Sequence, residues 1–238
     1  DITAGTLAVT NGNGLGNTGT GTRVIGGATL ELAGGIAIGS EALELHGTGF
    51  SKQRGALVNA AGNNSFGGDL TLVTDPLVSA QNTNVVIASL AGKLTLSGVV
   101  APKTGTDVNL VITGPGNIEF SNSVSTNAGS LTKNGNGILP LSNATAGGGI
   151  GSATTINGGT LSINATSEKL SDTAALNLAG GNLILTGSGT ENVGAINLTS
   201  GGAEITLGSA TLTSAGALTR STGATANFAT AGNISAAS

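Results

Sequence analysis

The side chains in this sequence that could do chemistry are few and scattered. The single histidine, His46, lies close to Glu41 and Glu44. On a strand, residues two apart share a face. Glu44 and His46 would then meet and, with Glu41, offer the donors of a small metal site. A solvated edge or turn is the plainer expectation, because one histidine leaves little for an acid–base relay. Asp69 and Asp75 could flank a polysaccharide groove, in the manner of paired glycan-cleaving carboxylates. Such grooves need stacked rings and basic groups beside them, and the neighbourhood is poor in both. Glu168, Lys169 and Asp172 read as a solubilising charged loop. The glycine-rich run from Asn11 to Gly21 lacks the Gly-Lys-Ser/Thr ending of a phosphate loop, and reads as turns. Thr18, Thr20 and Thr22 alternate like a water-ordering threonine face, but no such face recurs. Glycosylation sequons start at Asn63, Asn143, Asn164, Asn197 and Asn233, as a chain this rich in Asn, Ser and Thr yields by chance. No catalytic, cofactor-binding or metal-binding residue is assigned, and no cofactor is expected.

The composition says what must position these groups. Of 238 residues, 42 are glycine, four are phenylalanine, and Cys, Met, Trp and Tyr are absent. That excludes a disulfide framework and thiolate metal sites. Charged residues make up 8% and the net charge is −4, so no basic patch awaits nucleic acid. No apolar run approaches the ~18 residues of a membrane helix. The glycines have no collagen period. A hydrophobic fraction of 38% with little net charge argues against disorder. The first residue is Asp1, with no basic-then-apolar leader after it, which suits either a processed secreted protein or a piece of a larger one.

A short pattern recurs: glycine, any residue, aliphatic, any residue, aliphatic or Phe. It reads Gly68-Asp69-Leu70-Thr71-Leu72, then Gly92-Lys93-Leu94-Thr95-Leu96 and Gly116-Asn117-Ile118-Glu119-Phe120. It continues through Gly137-Ile138-Leu139-Pro140-Leu141, Gly159-Thr160-Leu161-Ser162-Ile163 and Gly181-Asn182-Leu183-Ile184-Leu185. The first aliphatic positions, 70, 94, 118, 139, 161 and 183, are spaced by 24, 24, 21, 22 and 22. Ile205 and Phe228 extend the series. Leu7 and Leu30 join it at the front, with the register between Leu30 and Leu70 open. A second series runs half a period away through Val86, Leu110, Leu131, Ile156, Leu176, Ile196 and Leu218. Each segment alternates apolar with polar, the period of a half-buried strand, and nothing has a helical period.

A period of 21–24 residues with two or three strands predicts one coil of a right-handed parallel β-helix. Residues 1–238 would form a single all-β solenoid domain with coils of about 22 residues. Roughly ten coils at ~4.8 Å would make a rod about 50 Å long. Leu70 should sit near Leu94 and Leu94 near Ile118, with the glycines stacked where a Cβ would clash. Pro140 should face outward and cost one ladder bond or force a bulge. A sandwich or barrel is the competing all-β reading, but neither requires one motif every 22 residues.

Residues 130–165 carry Leu131-Thr132-Lys133-x-Gly135-x-Gly137, Leu139-x-Leu141-Ser142 and Gly159-Thr160-Leu161. This stretch resembles the autotransporter-associated β-strand repeat of bacterial surface proteins. Gly55-Ala56-Leu57-Val58-Asn59, Gly62-Asn63-Asn64-Ser65-Phe66-Gly67-Gly68 and residues 218–225 are similar to companion segments of such proteins. Pro140 departs from the small polar residue usual there, residues 143–149 lack the frequent aromatic, and no translocator barrel is present. The resemblance implies a secreted, surface-associated stalk or adhesin region without catalytic residues.

The expected role is therefore a non-catalytic structural or adhesive stalk on a bacterial cell surface. The alternatives are a self-assembling filament or sheath subunit and a polysaccharide-active enzyme. With no capping helix in view, the expected partners are neighbouring solenoid coils or further copies end to end, and a surface glycan or matrix.

Overall fold

The computed structural model describes residues 1–50, 54–74, 83–142, 149–230 and 232–236. Asp75 and Asn143 lie outside them. The chain winds as an all-β solenoid of about nine turns, with coils of about 23 residues, rather than the ten coils its repeats suggest. At ~4.8 Å per coil the rod is about 43 Å long. Every pairing between named strands is parallel.

Three faces enclose the core. The first is a ten-stranded sheet: β1 (Thr6–Val9), β3 (Thr29–Ala33), β6 (Leu57–Ala61), β9 (Asn84–Ser89), β12 (Asn109–Thr113), β14 (Leu131–Lys133), β16 (Thr154–Ile156), β18 (Ala175–Ala179), β21 (Ala195–Ser200) and β24 (Leu218–Arg220). The second has nine strands: β4 (Ala37–Ile38), β7 (Asn63–Phe66), β10 (Lys93–Leu96), β13 (Asn117–Phe120), β15 (Ile138–Leu141), β17 (Thr160–Asn164), β19 (Asn182–Thr186), β22 (Gly202–Leu207) and β25 (Thr225–Thr230). The third face is divided. Four strands, β2 (Thr22–Val24), β5 (Leu43–His46), β8 (Leu70–Val73) and β11 (Val100–Pro102), form its early part. Three more, β20 (Thr190–Val193), β23 (Thr211–Ser214) and β26 (Asn233–Ala236), form its late part.

Alternation drives the burial. On the second face Ile38, Phe66, Leu96, Phe120, Leu141, Ile163, Leu185 and Leu207 stand in register, coil over coil, and all are buried. Burying such side chains is worth ~1.5–3 kcal/mol each, and a narrow tube does it with few aromatic rings. The corner glycines stack as the repeat predicts. A Cβ on Gly137 would lie 1.9 Å from the Gly116 carbonyl oxygen. Gly159, at φ +66°, would place one 2.3 Å from the Gly137 carbonyl.

Register corrects the sequence reading in three places. Leu94 pairs with Ile118, as expected, but on its other side it pairs with Asn64. Leu70 lies on the third face, between Leu43 and Val100. Leu7 and Leu30 belong to the first face, where Leu30 pairs with Leu57. Within the second series, Leu110 aligns with Val85 rather than Val86, and Leu131 with Thr154 rather than Ile156. Corner lengths vary between coils, so neither face nor partner follows from the period. A displacement of two residues, as from Ile156 to Thr154, keeps the same side chains inward, while the run Val85-Val86-Ile87 is apolar at both parities and hides the inward one. Period alone therefore cannot separate one alignment from the other.

Pro140 faces outward opposite Ser162, and β15 keeps four register pairs with β17 but one, Phe120 with Leu141, with β13. The missing N–H thus weakens one ladder, as its chemistry requires.

Candidate functional site

The polar groups of interest gather on the third face and at the corner between the first two. On β5, Glu44 and His46 do share a face: His46 Nε2 lies 2.6 Å from Glu44 Oε1. Arg23 of β2 donates its Nε–H to the same oxygen at 3.1 Å, and its guanidinium is 3.6 Å from Asp1. Burial alone would raise the Glu44 carboxyl, but the hydrogen bonds and charges of His46 and Arg23 outweigh it and hold it below the usual carboxylate range. Glu41 does not join them. It is buried, with Oε1 accepting the Thr22 hydroxyl at 2.7 Å and Oε2 without a partner among the described residues. Among the described residues no three His, Cys, Asp or Glu side chains assemble as a metal site. A shallow depression of about 170 Å³, lined by Gly21, Thr22, Arg23, Leu43, Glu44 and Thr71 among others, lies on this face.

Asp69 sits at a corner and its Oδ1 accepts the Val99 N–H of the next coil at 2.8 Å. That is one instance of a device the sequence reading missed. Asn63, Asn117 and Asn182 likewise accept the N–H of Lys93, Ile138 and Glu204 at 3.0, 2.8 and 2.9 Å. Each follows a corner glycine, in the position the repeat left open to any residue. A short side-chain carbonyl there reaches the coil beyond, where the bend interrupts the backbone ladder.

The threonine face does not form. Thr18 and Thr20 lie in exposed turns and Thr22 is buried against Glu41. The run from Asn11 to Gly21 is indeed turns, with Asn11 and Asn17 side chains accepting the N–H of Asn13 and Gly19. Of the described sequons, Asn63 holds the next coil, Asn164 accepts the Thr166 N–H, and Asn233 is exposed. Asn197 belongs to an outward ladder. Its amide donates to Asn177 at 2.9 Å, Asn177 donates to Thr155 at 3.2 Å, and Thr219 donates to Asn197 at 2.7 Å.

Three inward polar groups were also not anticipated. Asn59 and Asn64 are buried and hydrogen-bonded to each other. The Asn59 amide also reaches the Ser89 hydroxyl at 2.9 Å and the Ala91 carbonyl at 2.7 Å. Lys133, 1% exposed, stands in the column between Ile112 and Ile156. Its ammonium donates to the carbonyls of Asn134, Gly135 and Gly158 at 2.9, 2.9 and 3.3 Å, and burial pushes its pKa down to about 8.

The supposed solubilising loop is the largest correction. Asp172 is exposed, but Lys169 is 1% exposed and Glu168 is hydrogen-bonded to Asn192. Lys169 donates its ammonium to the Ser167 carbonyl at 2.6 Å and to the Ser167 hydroxyl. Burial lowers its pKa, with Glu191 partly offsetting the effect. Glu191 of β20 is fully buried beneath this loop. The sequence did carry a signal: in Thr190-Glu191-Asn192-Val193, Glu191 shares the inward parity of Val193.

The chain matches no protein-family model, no curated protein and no solved structure.

Proposed function

We propose that this chain is a non-catalytic, extracellular stalk segment of a bacterial surface protein, of the kind built from autotransporter-associated β-strand repeats. The observation that carries the reading is the in-register column from Ile38 to Leu207, flanked on successive coils by parallel ladders. A rod bonded coil to coil along its axis is a stiff spacer whose stability accumulates through nearest-neighbour contacts. Its outward Thr, Ser and Asn side chains offer a repetitive, weakly charged surface. Weak contacts to a glycan or matrix would gain strength there by multivalency. The absence of cysteine and the resemblance of residues 130–165 support the extracellular setting. An antibody raised against the purified chain should label intact, unpermeabilised cells of the source bacterium. Labelling confined to permeabilised cells would overturn the proposal.

A second reading, subunits stacking end to end, is favoured by three inward residues of the terminal coils. Leu7, Leu218 and Phe228 are 40%, 43% and 42% exposed, although their counterparts in the middle of the stack are buried. Further coils, from the same polypeptide or from another copy, would cover them. Electron micrographs of the purified chain should then contain filaments of many rod lengths. A uniform population of rods about 43 Å long would exclude stacking.

A further inference from the structure

Five asparagines stand directly before a glycine: Asn11, Asn13, Asn134, Asn136 and Asn157. A glycine there offers its backbone nitrogen to the asparagine side chain with no Cβ in the way. The fold treats the five pairs differently. Asn134 and Asn157 follow β14 and β16, donate their N–H groups to the Ile112 and Lys133 carbonyls, and are joined through their side chains at 2.7 Å. Gly137, after Asn136, donates its N–H to the Gly114 carbonyl and is packed against that of Gly116. Gly14, after Asn13, donates its N–H to the Asn11 carbonyl at 2.9 Å. Asn11 is different. It is exposed in the turn after β1, and the Gly12 N–H has no partner among the described residues. Its Oδ1 accepts the Asn13 N–H at 2.9 Å, which polarises the side-chain carbonyl and favours negative charge on that oxygen. The turn is seated at two points. Gly12 lies against the Ala37 carbonyl, where a Cβ would be 2.4 Å away, and Leu15 packs on the core. Asn17 supplies an internal comparison. Its Oδ1 accepts the Gly19 N–H at the same 2.9 Å, but the residue after it is Thr18, whose branched side chain obstructs the approach.

We propose that Asn11 is a self-modifying site: its side chain closes on the Gly12 nitrogen, loses ammonia, and reopens as aspartate or isoaspartate. Hydroxide or a buffer base takes the Gly12 amide proton. The nitrogen then bonds to Asn11 Cγ, and the electron pair of the side-chain carbonyl moves onto Oδ1, where the Asn13 N–H receives it. As that pair returns, the Cγ–Nδ2 bond breaks and the nitrogen leaves as ammonia, taking its proton from water. The cyclic imide left behind is opened by water at either of its carbonyls. Opening at Cγ gives aspartate, and opening at the main-chain carbonyl gives isoaspartate. Nothing is oxidised or reduced, and the net change is water in and ammonia out. Both products add a negative charge. Isoaspartate also lengthens the main chain by a methylene, so Gly12 and Leu15 cannot both keep their seats. The turn that loosens is the one packed against β4, the edge strand of the second face.

Peptide mapping by mass spectrometry, on protein aged in mildly alkaline buffer, tests this. In the folded chain Asn11 should convert first, to a mixture of aspartate and isoaspartate, and faster as the pH rises. Asn13 should lag, because the Gly14 N–H is already committed. Asn134, Asn136 and Asn157 should convert at least roughly tenfold more slowly than Asn11, because their corners must open before a side chain can turn. Unfolding in urea should erase that ranking, with Asn11 converting no faster unfolded than folded. Thr18→Gly, a change in an exposed turn, should make Asn17 a second site with a rate near that of Asn11. Slower conversion of Asn11 in the folded chain than in urea would overturn the proposal. So would conversion of Asn13 or the stacked-corner asparagines as fast as Asn11, or an Asn17 that stays intact in Thr18→Gly.

Discussion

Thr154 shows how closely the core controls its polar residues. It stands between Leu131 and Leu176 on the first face, and its buried hydroxyl finds no partner among the described residues. A buried hydroxyl without a partner costs about 1–3 kcal/mol, and valine keeps its shape. Thr154→Val should stabilise the protein by about 1 kcal/mol, seen as a rise in Tm of about 2–4 °C. Lys133 is the opposite case, a buried polar group that is satisfied. Its ammonium fills a cradle of three carbonyls, but burial still lowers its pKa to about 8 from an ordinary 10.5. A base with a depressed folded pKa binds fewer protons folded than unfolded between those two values. Stability should therefore rise as pH goes from 8 to 10.5. Urea titrations at pH 8 and 10 should detect that rise in the wild type, and Lys133→Met should lack it. Both residues were legible by parity, since Lys133 alternates with Leu131, and Thr154 with Ile156. Charge and hydroxyl chemistry argued for the outside, and only the corner carbonyls explain why Lys133 is tolerated within.

At the scale of the element, the backbone ladder explains β15. Ser142 donates its N–H to the Phe120 carbonyl, and by the same alternation an N–H at position 140 would donate to Ile118. Proline has none. Pro140→Thr should restore that bond and raise stability by about 1 kcal/mol, measured by urea unfolding. A loss of stability would mean that the strand has adapted around the ring. The strands themselves were readable from their two-residue alternation and from the glycines before them. The residue after each corner glycine was not. Asn63, Asp69, Asn117 and Asn182 look interchangeable with Lys93 or Ile138 in the repeat, yet their side chains accept an N–H of the next coil. Which N–H lies within reach depends on the rise between coils, and a single coil's sequence does not contain that distance.

For the molecule as a whole, position along the stack sets the cost of a core substitution. Leu161 is covered from both sides, by Leu139 and Leu183, and is fully buried, while Leu7 has a neighbour on one side and is 40% exposed. Leu161→Ala should cost about 3 kcal/mol, and Leu7→Ala less than about 1 kcal/mol, compared in urea. Equal losses would mean that the terminal coil is covered in solution. The sequence by itself determined that this protein is all-β, that it repeats every 21–24 residues, and that its glycines stack at corners, because alternation and period act within one coil. Only the tertiary structure decided that Leu70 lies on the third face rather than beneath Leu94, that Thr154 and not Ile156 covers Leu131, and that Glu191 holds the neighbouring loop. Those are relations between coils. They are fixed by corner lengths and by which polar group finds a partner across the gap, and a displacement of two residues leaves the hydrophobic pattern unchanged.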